Sequence, residues 1–250
     1  MKRILALILA LLLLCSCAQA PKTGKMSEKN LENLREKYPY LDVHPLRHLE
    51  TIPEEADYHY PDGYWDLSEL FNDAISYDEL FLVAAIEIQS EPYYKTIHKD
   101  YPGTFKDLDD FMQQYPDLSL STATLIFEQG SMYVDALITE VLCGNSSLKV
   151  GETFDLTNSY WFWGQNFEDI MSLYAKGNRL VCYLVQPASV SAGIHANNAH
   201  WTSEYFTWYL TKDDVVLSIH QGPGPDSFSG LYLESFKQEV QAIWEKYNKE

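Results

Sequence analysis

Hydrophobic and polar positions divide this chain into short blocks, most with the period of a strand and a few with that of a helix. Leu80 to Ile88 (LFLVAAIEI) is apolar at all but one position, which predicts a central strand buried on both faces. Arg179 to Gln186 (RLVCYLVQ), just after Gly177, reads the same way. Thr122 to Phe127 and Met132 to Leu142 are β-rich runs broken at Gln129, Gly130 and Ser131, a pattern that predicts a hairpin. Glu152 to Leu156 predicts a further strand. Tyr205 to Leu210 and Val215 to His220 predict a second hairpin around Lys212, Asp213 and Asp214.

Helical spacing is rarer. Ser27 can cap a short helix carrying Leu31, Leu34 and Tyr38 on one face, and Asp66-Leu67-Ser68-Glu69 opens another that runs to Ala74. Thr104-Phe105-Lys106-Asp107 opens a third, with Leu108, Phe111 and Met112 as its apolar side. The clearest helix closes the chain. Leu233, Phe236, Val240, Ile243, Trp244 and Tyr247 recur at three- and four-residue steps against Lys237, Glu239, Glu245 and Lys246. Its apolar stripe must pack on something, most simply the open end or outer face of the sheet.

The first residues have a different logic. Met1-Lys2-Arg3 is cationic, and Ile4 to Leu14 is eleven uninterrupted Ile, Leu and Ala residues. That run suits an export signal and falls short of the roughly 20 residues a bilayer span needs. Leu14-Cys15-Ser16-Cys17 then resembles the lipobox of bacterial lipoproteins, with a large aliphatic residue at −3 and a small one at −1 before Cys17. Cys15 fits worse, because Leu14 would stand at the small-residue position. The resemblance implies a signal peptide over 1–16, lipid attachment at Cys17, and a cell-membrane location on the extracytoplasmic face. Residues 17–26, with Pro21 and Gly24, read as a flexible tether.

Composition narrows the partners. Removing residues 1–16 takes away Lys2 and Arg3 and no acid, leaving 16 basic against 36 acidic residues and a formal charge of −20. Such a surface repels phosphate backbones and anionic lipid headgroups, so nucleic acid is an unsuitable partner. The lipid anchor, rather than a basic patch, holds the protein at the membrane. Tyrosine is abundant at 18 residues, which suits β-sheet packing and surfaces for sugars or proteins. Beyond the leader only Cys143 and Cys182 remain. Outside the cytoplasm they can form a disulfide or persist as two buried thiols.

Val141-Leu142-Cys143-Gly144, then Leu148-Lys149-Val150-Gly151-Glu152 leading into Phe154-Asp155-Leu156, is similar to a passage of netrin/TIMP-like OB barrels. Gly177 to Leu184 resembles the strand that follows in such modules, so the likeness spans roughly residues 80–220. A helix near 104–115 and the aromatic segment 160–174 depart from a minimal barrel. The fold expected is α+β: a mainly antiparallel, five- or six-stranded OB-like β-barrel with short inserted helices and a packed C-terminal amphipathic helix. Residues 27–79 form an irregular, partly helical arm before the barrel of 80–250.

Catalytic patterns are missing. No nucleophile elbow, phosphate loop or zinc-type histidine spacing occurs, since His195 and His200 stand five apart and Pro45 separates His44 from helical register with His48. Asp109-Asp110 and Asp213-Asp214 are sequence neighbours that point apart and suit solvated surface. No metal or cofactor is called for. Tyr160-Trp161-Phe162-Trp163 can present Trp161 and Trp163 on one side of a strand, and His195, Asn197, Asn198, His200 and Trp201 make a polar and aromatic rim on a loop. These seven residues are the candidate binding surface. The expected function is binding or scaffolding at the cell envelope, with an unknown protein or carbohydrate as ligand. A hydrolase whose residues are scattered across strands, or a small solute-binding lipoprotein, is the alternative.

Overall fold

Strand β1, Leu80–Ile88, is paired on both edges and buried on both faces. The computed structural model describes residues 21–38, 67–76, 80–96, 98–128, 131–158, 172–186, 199–202, 206–218 and 225–247. Leu82, Ala84, Ile86 and Ile88 of β1 enter one core, while Phe81, Val83 and Ala85 enter a second. The two-residue period of a strand separates these sets, so one nearly all-apolar run serves two cores.

Among the described residues the sheet around β1 has nine strands, in the order β3-β2-β4-β5-β7-β6-β8-β9 with β1 pairing β4 and β6. They are β2 Tyr93–Lys95, β3 Thr104–Phe105, β4 Ser131–Gly144, β5 Thr153–Asn158, β6 Arg179–Gln186, β7 Ala199–Thr202, β8 Thr207–Leu210 and β9 Val216–Ser218. Every pairing is antiparallel except β5 with β7. The architecture is α+β with a mainly antiparallel sheet. It is not the simple closed barrel expected, because the strand order has two ends, β3 and β9, and a single residue pair, Val185 with Trp201, joins β6 to β7.

Helices α1 (Glu28–Arg35), α2 (Leu67–Ser76), α3 (Leu108–Gln114), α4 (Leu120–Glu128) and α5 (Leu233–Tyr247) cover this sheet. Leu31, Leu34 and Tyr38, on and just after α1, pack on the first core. The second core receives Leu67 and Phe71 from α2, together with Phe236 and Val240 from the expected C-terminal helix α5. Phe236 lies 5.1 Å from both the Trp208 and Phe228 rings, and Lys237 Nζ of α5 pairs with Glu140 Oε1 of β4.

Three local expectations are corrected. Residues 122–127 belong to helix α4 rather than to a strand, and no hairpin centred on Ser131 links them to β4. Ser119 Oγ accepts from Thr122 N, and Ala123 and Ile126 are buried at a three-residue spacing that the β-branched residues concealed. Thr104 lies in β3, and Asp107 is the residue that caps α3, accepting from Asp110 N at 2.9 Å. His200 and Trp201 lie in strand β7 rather than on a loop.

The cysteines also resolve. Cys143 lies opposite Val83 and Cys182 opposite Ala84, so β1 stands between them and they belong to opposite cores. Two strand spacings amount to roughly 10 Å, beyond the Cα separation a disulfide spans. Both are buried and no disulfide joins them.

Candidate functional site

A cluster of polar residues interrupts the sheet's apolar pattern where β2, β4 and β5 lie side by side. Tyr93 is opposite Tyr133 and Asp135 is opposite Asp155. Their neighbours Tyr94, Val134, Ala136, Phe154 and Leu156 go to the core, so strand alternation puts Tyr93, Lys95, Tyr133, Asp135 and Asp155 on the other face.

The side chains form one connected cluster. Tyr93 Oη is 2.8 Å from Asp135 Oδ1 and 3.2 Å from Asp155 Oδ1, and Lys95 Nζ donates to Asp155 Oδ2 at 2.5 Å. The Lys95 ammonium also sits 5.3 Å from the Tyr93 ring centre and 5.2 Å from that of Tyr133, within cation–π range. Tyr93 and Tyr133 stack at 6.2 Å and 21°. Asp135 N donates to Ser90 Oγ at 2.9 Å, which fixes the strand beneath its carboxylate.

Two carboxylates and one ammonium leave one negative charge on this face. Burial first, then the hydrogen bond to Asp135 and the charge of Asp155, push the Tyr93 phenol well above its ordinary pKa. A phenol held that way keeps its proton at neutral pH, so Tyr93 donates hydrogen bonds and is unsuited to act as a base or nucleophile. The arrangement suits recognition of a hydroxyl-bearing or cationic group beside an aromatic shelf. Among the described residues, no group of three or more His, Cys, Asp or Glu could hold a metal ion.

The residues singled out from sequence divide between described and undescribed parts of the chain. Trp161, Trp163, His195, Asn197, Asn198 and Cys17 lie outside the described residues. The backbone of His200 is opposite Leu156, and that of Trp201 is opposite Thr157. Strand β5 therefore has the Asp135 strand on one side and the His200–Trp201 strand on the other. The acidic doublets do capping and turn duties. Asp110 Oδ2 accepts from Lys106 N at the start of α3, and Asp214, at φ 58°, pairs with Arg179 at 2.9 Å in the β8–β9 turn.

Sequence reasoning missed Tyr93, Lys95, Asp135 and Asp155. Their signal was present as an acid inside each of two apolar strands, Val134-Asp135-Ala136 and Phe154-Asp155-Leu156, but only the register shows that the two acids face each other. No protein-family model, curated protein or solved structure matches the chain.

Proposed function

We propose that this chain is a lipid-anchored, extracytoplasmic binding or scaffolding protein of the cell envelope, built on a partly open OB-like barrel. The observation that carries the barrel is the order of pairings: β1 with β4, β4 with β5, β5 with β7, β7 with β6, and β6 with β1, where only β5 and β7 run parallel. In OB folds, a five-stranded Greek-key barrel that is partly open, the second and third strands and two neighbouring loops bind oligonucleotides or oligosaccharides. Here the second and third members of the circuit are β4 and β5, which carry Asp135 and Asp155. The acidic surface disfavours nucleic acid, which leaves a carbohydrate or protein ligand. The address rests on Leu14-Cys15-Ser16-Cys17 and on the tether behind it.

Two measurements test the reading. Mass spectrometry of the mature protein is expected to find acyl chains on Cys17, with Cys17→Ala released from the membrane fraction. Intrinsic tryptophan fluorescence titrated with cell-wall glycan fragments is expected to change for the native chain and much less for Asp135→Asn/Asp155→Asn. An unacylated Cys17 overturns the address. A titration the double variant reproduces in full overturns the β4–β5 face as the binding surface.

A further inference from the structure

The tether enters the fold at one tightly held corner. Gly24 N donates to Ser235 Oγ at 2.7 Å, and Gly24 O accepts from Tyr232 N at 3.1 Å. Met26 N donates to Gly230 O at 2.7 Å, and Lys25 Nζ donates to Ser227 O at 2.8 Å. Helix α1 then lays Leu31 and Leu34 on the core, so a pull on the tether acts on a fixed point. Six residues lie between Cys17 and Gly24, which makes seven Cα-to-Cα steps. Fully extended, that stretch spans at most about 25 Å.

The geometry points to this corner, Gly24–Lys25 with Ser227 and Tyr232, as the face that meets an anionic phospholipid surface. The inference rests on acylation of Cys17. Charge supports it independently of reach. Lys22, Lys25 and Lys29 are exposed here, Lys22 Nζ lies 5.7 Å from the Tyr232 ring centre, and Glu28 is the only acid from 17 to 29. That stretch carries a formal +2, which Asp226 and Glu234 beside its bonding partners Ser227, Tyr232 and Ser235 bring to about zero, on a mature chain of −20. An anionic bilayer repels the acidic remainder and leaves this near-neutral corner as the part that approaches it. Screening confines the effect to about 8 Å, so it acts because the tether is short. The acyl chains supply the affinity, and repulsion of the acidic remainder supplies the orientation, which keeps the β4–β5 face free to meet ligands.

Energy transfer tests it on the full-length acylated protein in phosphatidylcholine–phosphatidylglycerol vesicles carrying an acceptor-labelled lipid. Donors are placed through Ser227→Cys at the corner, or through Asp117→Cys. Asp117 lies in the turn between α3 and α4, beside β3 at the other end of the strand order from β9. Both positions are exposed, whereas Cys143 and Cys182 are buried and escape labelling. Transfer is expected to be stronger from position 227. The difference is expected to be lost when a long Gly/Ser segment is inserted between Ala20 and Pro21, and to shrink in pure phosphatidylcholine. Equal transfer from both sites in the acylated, native-length chain overturns the orientation and leaves the anchor standing. A Cys17 without acyl groups overturns both.

Discussion

Asp135 and Asp155 face each other directly on antiparallel strands, and the Tyr93 hydroxyl reaches both carboxylates. One phenolic proton can serve only one acceptor at a time. The shorter contact gives it to Asp135, and Lys95 neutralises Asp155. Tyr93→Phe is expected to cost about 1.5–3 kcal/mol by urea denaturation, the scale of a hydrogen bond to a charged partner. Lys95→Met is expected to destabilise as well, because it leaves two like charges directly opposed. A Lys95→Met protein as stable as the native one would show that the cluster is held by packing alone.

Alkaline stability follows from the same phenol. Its pKa is raised in the folded chain, so the native state holds the proton more tightly than the unfolded one. Below the unfolded tyrosine pKa of about 10 both states are protonated and the contribution is complete. Above it the unfolded chain gives up its proton first, and stability falls as pH rises. Tyr94 is shifted in the same direction by burial. Unfolding midpoints measured from about pH 8 to 12 should decline with a slope that Tyr93→Phe makes shallower.

Gly144 has φ 130°, and a Cβ placed there would lie 2.4 Å from Phe81 O. Asn145 N and Ser146 N both donate to that same oxygen, so the backbone cannot retreat without breaking them. Gly144→Ala is expected to lose about 1–3 kcal/mol, read as a lowered urea midpoint.

Thiol chemistry checks the sheet register. Burial pushes the Cys143 thiol up to about 12, and Cys182 is buried in the opposite core. Neither should react with a thiol probe in the native protein, and both should react once it is unfolded, without prior reduction. Two thiols that appear only after a reductant is added would contradict their placement on opposite faces.

Phe236 is fully buried between Trp208 and Phe228. Phe236→Ala is expected to cost about 3–5 kcal/mol, detaching α5 from the sheet. Helix loss and tryptophan exposure should therefore coincide in one transition.

Much of this fold could be read from the chain, and the reasons are local. LFLVAAIEI and RLVCYLVQ announced β1 and β6 because a strand buried on both faces must be apolar throughout. α5 was legible because its stripe is long enough to repeat. The helix over Leu120–Glu128 was not, since three β-branched residues gave a nine-residue segment the look of a strand. The Tyr93 cluster escaped for another reason. Its five residues span positions 93 to 155, and no local period records which strand lies beside which.

The position of β1 has a consequence for the order of assembly. Its two neighbours in the sheet are Ser131–Gly144 and Arg179–Gln186, and its outer face closes only when Leu233–Tyr247 arrives. Contacts this distant along the chain form slowly, because long loops must close before they are rewarded. A polypeptide emerging N-terminus first therefore cannot enclose its central strand until Leu233–Tyr247 has also emerged, long after β1 itself has left the ribosome.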